Sequence, residues 1–416
     1  MKQEFLNNIH RGLGRAVLEL KQAQNKTEYL ETVLYACLSD SSYEYIVEGP
    51  KSNFLYQLIK LFNLKEIELI KHSIINSLTD KDSVSLLFQK LELLYEFYID
   101  AHSSIKPVLE SFYEEFIKNT KRWTKKRIMA YEILIITMDK IFGLSKTLKI
   151  IDYIEEKKIN KEYLGWYESR LKEKYKKNKI IQSFGNMQNL VRKDVCLYTL
   201  EEFKSHYKEP LYKAVFGDRV SLEEFEKCVD YISKTEDIEC ICALLETFSY
   251  DDSLYKFPEE ILFQLLSTYG KPVQKYVYDS LKYYKSEQVL ALGLKLIKAK
   301  KFLEQGIVML FTNYESKYKE ILISAYKKVQ FSFNSKIYSS ITYDTISFMK
   351  HKRRDYPDEI LFINYSKSYS SFERENIFDI IKKRGLLTKE ILEECCYDFS
   401  YEISTKANQL LRLLNS

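Results

Sequence analysis

Only 11 glycines and six prolines are spread over the 416 residues of this chain. They make up roughly 4% of it, where about 12% is ordinary. An all-β sandwich or barrel needs Gly- and Pro-rich turns between many short strands, so that class is excluded. Collagen-like and proline-rich disordered chains go with it. No glycine-rich strand-to-helix turn appears anywhere, which argues against a doubly wound α/β fold.

What remains is helix. Phe54, Leu55, Leu58, Ile59 and Phe62 repeat at three- and four-residue steps, as do Leu86, Leu87, Leu91, Leu94 and Tyr95, and Val289, Leu290, Leu294 and Ile297. Ser221 followed by Glu224 fits a capping box, and Pro258 and Pro272 stand where a helix begins. Such segments predict an all-α chain of roughly twenty helices, each about 10 to 20 residues long. Successive helix pairs recur at about 35 to 45 residues, the range of stacked helical repeats. So many amphipathic helices leave two architectures, several compact bundles or a stack of antiparallel helix pairs, and the spacing favours the stack, an α-solenoid. Its parts are N-terminal repeats with an atypical cap over 1–117, a basic helical segment over 118–193, and C-terminal repeats over 194–416.

Residues 391–411 carry the most specific pattern. Asp398 closes one helix, and Glu402, Ile403 and Ala407 follow on the next, with Leu410 and Leu411 beyond. This resembles the second half of a HEAT repeat, although Ser404 stands where that family usually has Arg. Pro272, Val273, Gln274, Val277 and Leu281 look like a second copy, and Arg374 with Ile377 and Leu322 with Ala325 like weaker ones. The resemblance is clearest over 270–416. It implies a right-handed superhelical stack and leaves the ligand open, because solenoids serve many partners.

Net charge is only +5, but 118–193 alone holds 20 Lys/Arg against 8 Asp/Glu. Lys121, Arg122, Trp123, Lys125, Lys126 and Arg127 form one run, and Arg170, Lys172, Lys174, Lys176 and Lys177 a second. A basic stripe with interleaved rings suits a phosphate backbone with unpaired bases stacked on it. A solvated surface is the plainer reading, since lysine outnumbers arginine by 52 to 12, and an acidic protein partner is a third. The segment from Trp123 to Ala130 also resembles a helix of the HEAT-like DNA alkylation-repair glycosylases. Their activity needs an Asp aimed at the lesion, and that Asp has no counterpart to point to here.

Two features near the start break local rules. Gly12 and Gly14 interrupt a helical pattern, each costing ~1 kcal/mol relative to Ala. Either they admit another helix closely, or they turn backbone amides toward a ligand so that His10, Arg11 and Arg15 converge on an anion. The second feature is a polar connection over 39–53, a length that is uncommon and often functional. Laid beside the first helix, it brings Tyr43, Glu48 and Lys51 near His10 and Arg15. These six residues are the candidate partner- or anion-binding site, with an end cap as the plainer reading.

The five histidines show no metal-ligand spacing, no nucleophile elbow is present, and the seven cysteines are too few and too odd in number for a disulfide framework. No cofactor, metal or membrane partner is expected, and no signal segment is legible at the start. The sequence thus points to a cytoplasmic, non-catalytic HEAT-like scaffold that binds a macromolecular partner, most simply a protein, through its curved face. Nucleic-acid binding through 118–193 and a peptide receptor of the tetratricopeptide type are the alternatives. The latter's 34-residue signature does not recur.

Overall fold

The computed structural model describes residues 2–41, 48–49, 51–79, 82–100, 104–118, 139–143, 148–149, 152, 172–174, 198–209, 213, 216–217, 219–249, 253–329, 340–351 and 355–415. Among these the chain is helical, and the only pairing of extended backbone is a single bridge between Tyr198 and Val220. Seven helices come first: α1 (Gln3–Arg11), α2 (Arg15–Gln22), α3 (Leu30–Leu38), α4 (Ser52–Ile59), α5 (Leu64–Ser77), α6 (Val84–Ile99) and α7 (Ile105–Lys118). Next are α8 (Leu200–His206), α9 (Leu222–Lys234), α10 (Ile238–Thr247), α11 (Glu259–Tyr269), α12 (Lys271–Leu281) and α13 (Glu287–Ala299). The last seven are α14 (Leu303–Thr312), α15 (Lys319–Lys327), α16 (Ser340–His351), α17 (Glu359–Lys367), α18 (Ser371–Lys383), α19 (Lys389–Cys395) and α20 (Tyr401–Asn415).

Their starts follow from local chemistry. Asn63 and Thr199 each build a full capping box, with Glu66 and Glu202 answering the cap residue's own amide. Ser221 makes only half of the expected box. Its hydroxyl accepts from the Glu224 amide at 3.2 Å, but the Glu224 carboxylate turns instead to the Leu200 amide at 2.8 Å. It thereby ties α9 to the start of α8. Pro258 is the cap residue of α11, and Pro272 lies in the first turn of α12, where a missing amide proton costs nothing.

Two compact units result, one made of 1–189 with 366–416 and the other of 190–365. In the second, apolar faces of α8 to α14 enclose a core rich in rings. Phe225 lies 5.0 Å from Phe248 and 5.2 Å from Phe257, and Phe203 lies 4.5 Å from Phe216, all centroid to centroid. Val273, Val277 and Leu281 complete it from α12, fully buried at the helical spacing read from the sequence. The helices α13 and α14 run antiparallel: Gly293 faces Met309, while Ile297, one turn on, faces Gly306, one turn back.

In the first unit, Phe5 and Ile9 of α1, Phe54 and Leu58 of α4, and Leu91 and Phe97 of α6 share one core. Tyr397 and Phe399, from the far end of the chain, pack against it. The helices α18 and α20 lie side by side and parallel. Arg374 meets Asp398, Ser400 bonds Glu375, and Lys406 bonds Asp379, so the contacts advance together along both helices. No helix among the described residues is long and apolar enough to cross a membrane.

Candidate functional site

The first helix ends at Arg11 because Gly12 takes the left-handed conformation (φ 71°), which lets the Gly12 and Leu13 amides bond back to the Ile9 and Asn8 carbonyls. The chain then passes directly under residues 394–399. The Phe399 amide donates to the Gly12 carbonyl at 2.9 Å. A Cβ at Gly12 would stand 2.6 Å from Phe399 Cβ, and one at Gly14 would overlap the Glu394 carbonyl. Both glycines thus serve a close backbone approach, and it is a segment nearly 400 residues away that approaches.

Beside this crossing lies a buried polar network. Lys51 is fully buried, and its ammonium donates to the carbonyls of His10 (2.5 Å) and Ser41 (3.0 Å). Gln89 of α6 ties the same connection, donating to the Ala36 and Ser39 carbonyls and accepting from the Ser41 amide. Glu48 accepts from the Ser371 amide in the first turn of α18, where a carboxylate also suits the helix dipole. Within α18, Arg374 grips Asp398 with both arms of its guanidinium, at 2.9 and 3.2 Å, and neither side chain reaches solvent. Those two bonds use Nε and Nη2, and the remaining nitrogen, Nη1, donates to the carbonyls of Ser368 and Tyr369.

Burial sets the electrostatics. It pushes the His10 imidazole down to about 4, with Lys51 and Arg11 adding to the effect, so His10 is neutral at ordinary pH. It pushes the Lys51 ammonium down to about 8, against the opposing pull of Glu48. The Glu394 carboxyl is raised by burial, and its Arg15 partner, bonded at 2.8 Å, works against that rise. Lys51 is therefore a tie between segments whose donors are engaged by carbonyls, which suits it to holding and not to reacting.

Arg11 is placed differently. Its guanidinium stands 5.2 Å over the Tyr369 ring, and its carboxylate neighbour Glu4 is 3.9 Å away and largely exposed. Its Nε is buried with no hydrogen-bond partner among the described residues, and so is Oδ1 of Asn8.

The structure brings His10, Glu48 and Lys51 together, with Arg11 adjacent, while Arg15 turns to Glu394 and Ser366. Tyr43 lies outside the described residues, as do Lys121, Arg122, Trp123, Lys125, Lys126, Arg127, Arg170, Lys176 and Lys177. Of the basic segment's named residues, Lys172 and Lys174 are described, and Lys174 is paired with the buried Asp139 at 2.5 Å. Sequence reasoning did not join Lys367, Tyr369, Arg374, Glu394 or Asp398 to the N-terminal cluster. Arg374 and Asp398 carried a signal of their own, as residues of the repeat pattern.

The described cysteines are free thiols, four of them buried, and burial drives Cys37 up to about 12, away from reactivity. No group of three or more His, Cys, Asp or Glu among the described residues has the geometry to hold a metal. No protein-family model, curated protein or solved structure matches the chain.

Proposed function

We propose that this chain is a HEAT-like helical-repeat scaffold of the cytoplasm that binds a protein partner and catalyses no reaction. The observation that carries the reading is the set of large side chains left in solvent on α18 and α20: Phe372 (61% exposed), Tyr401 (75%), Leu413 (72%) and Leu414 (63%). Phe372 and Tyr401 each stand in the first turn of a helix, and the two helices run in parallel, so both rings belong to the same end of the pair. Leu413 and Leu414 stand in the last turn of α20, at its opposite end, so the two rings alone form the candidate surface; exposed apolar groups that lie together mark interaction surfaces, and aromatic residues dominate the energetics of protein interfaces.

The repeat reading draws on the same helices. The Arg374–Asp398 pair links one helix pair to the next, as the Asp–Arg ladder of that architecture would. The Arg comes from the preceding pair, which explains how Ser404 can replace Arg within the last one. Contacts between α18 and α20 span 24, 25 and 27 residues, a repeat shorter than the sequence spacing suggested because α19 has only seven residues.

A photo-crosslinking residue placed at 372 or 401, in cells producing the chain, is expected to capture protein. The same residue at 343, equally exposed in the other unit, is the control. Adducts at 372 and 401 no greater than at 343 would contradict the reading. Tight binding to duplex DNA or single-stranded RNA that collapses between ~50 and ~200 mM salt would instead transfer function to 118–193.

A further inference from the structure

We infer that the partner protein seats an arginine side chain on the ring-bearing end of the α18–α20 pair, its guanidinium on the carboxylates of Glu375 and Glu402 and against the rings of Phe372 and Tyr401. This rests on the protein-binding reading above and names the chemistry that the partner must bring to that face.

Phe372, Glu375 and Asp379 lie three and four residues apart and so form one row along α18. The row is turned toward α20. Glu375 accepts from the Ser400 hydroxyl at 2.6 Å and stands against the Glu402 side chain, and Asp379 pairs with Lys406 a turn further on. Phe372 heads the row, one turn before the level of Ser400, whereas α20 begins only at Tyr401. No turn of α20 therefore covers the Phe372 ring, and it stays in solvent. Tyr401 opens α20 and is exposed as well, next in the chain to Glu402. Two rings and two carboxyl groups thus share one accessible end of the helix pair, with Glu402 exposed and Glu375 half-buried.

Charge decides what this face takes. Lys406, which also acts on Glu375, is bonded to both Asp379 oxygens, at 2.8 and 2.9 Å. Among the described residues no ion pair reaches Glu375 or Glu402. Two carboxylates side by side without a cation repel each other and any acidic segment that approaches. Burial raises the Glu375 carboxyl above the usual carboxylate range, Glu402 raises it further, and Ser400 and Lys406 work against the rise. An incoming cation relieves that repulsion. A guanidinium fits better than an ammonium, because its planar fork bonds two carboxylates at once while its flat face lies on a ring.

The test uses the full chain and labelled probes: short glycine-rich peptides that carry arginine, lysine or glutamate, titrated by fluorescence anisotropy at ~50 mM salt. The wild type is expected to saturate with the arginine peptide, to bind the lysine peptide several-fold more weakly, and to leave the glutamate peptide free. Glu402→Gln should weaken arginine-peptide binding roughly three- to tenfold, and Tyr401→Leu roughly two- to fivefold. Both side chains are exposed, so neither change disturbs the core, whereas Glu375→Gln would also loosen the Ser400 bond. Glu226→Gln removes the same charge from an exposed position in the other unit and should leave the affinity unchanged. No saturation by the arginine peptide, equal binding of the lysine peptide, or a loss in Glu226→Gln as large as in Glu402→Gln overturns the inference. Protein adducts at positions 372 and 401 would survive any of these results, so this failure and that of the protein-binding reading are separable.

Discussion

In the unit of residues 190–365, rings meet rings: Phe225, Phe248 and Phe257 form a continuous cluster, and further along Phe311 stacks on Phe348 at 5.8 Å. In the unit that joins 1–189 to 366–416, the two ends of the chain meet through named donors and acceptors instead. Lys51 answers the His10 carbonyl, Arg374 answers Asp398, and the Phe399 amide answers the Gly12 carbonyl. The contrast is one of tolerance. An apolar core accepts substitutions that keep its volume, whereas a buried donor accepts only an acceptor in the right place. A chain that must recruit its last fifty residues to its first fifteen gains selectivity from the second kind of contact.

Breaking one member of each kind should give similar losses but opposite rescue. Arg374→Ala strands the Asp398 charge and is expected to cost about 3–5 kcal/mol by urea denaturation. Phe257→Ala, in the ring cluster, should cost a comparable ~3–5 kcal/mol. Phe257→Leu should recover most of that loss, while Arg374→Lys recovers little, because an ammonium lacks the fork that spans both Asp398 oxygens. Equal recovery in both units would erase the distinction.

A pH series sharpens it further. Lys51 holds its proton less tightly folded (about 8) than unfolded (10.5), so the unfolded chain binds more protons between those values. Stability of the first unit should therefore rise from pH 8 to 10.5, by roughly 3.5 kcal/mol at most, since each pKa unit is ~1.4 kcal/mol. His10 works in the acid range. Kept neutral down to about 4 when folded but protonated near 6.5 when unfolded, it should lower stability as pH falls from 6.5 to 4. In Lys51→Met the alkaline rise should vanish while the acid fall persists; a rise that survives would assign it elsewhere. The smallest effect expected is that of Lys406→Ala, which removes an exposed pair with Asp379 and should change stability by about 0–1 kcal/mol.

The helical faces were legible in the sequence because periodicity reports burial directly. Phe54, Leu55, Leu58 and Ile59 are all buried, as are Val273, Val277 and Leu281. Helix lengths were less so: the described helices run from 7 to 16 residues, in part because turns such as Gly12–Gly14 divide what periodicity joins. At the site, local rules picked out Gly12, Gly14, Lys51 and Glu48 as misfits for an ordinary solvated helix and loop. Their partners were invisible. The Glu394 carbonyl that excludes a side chain at Gly14 and the α18 amide that Glu48 caps are more than 300 residues away, and no local pattern encodes that meeting.

Hydrogen exchange, followed by mass spectrometry on the wild type and Arg374→Ala, tests most directly whether the two ends form one unit around this network. Peptides from 2–22 and from 390–403 are expected to lose protection together in the variant, while 257–281 keeps its own. Loss confined to the C-terminal peptide, with 2–22 as protected as before, would contradict the account.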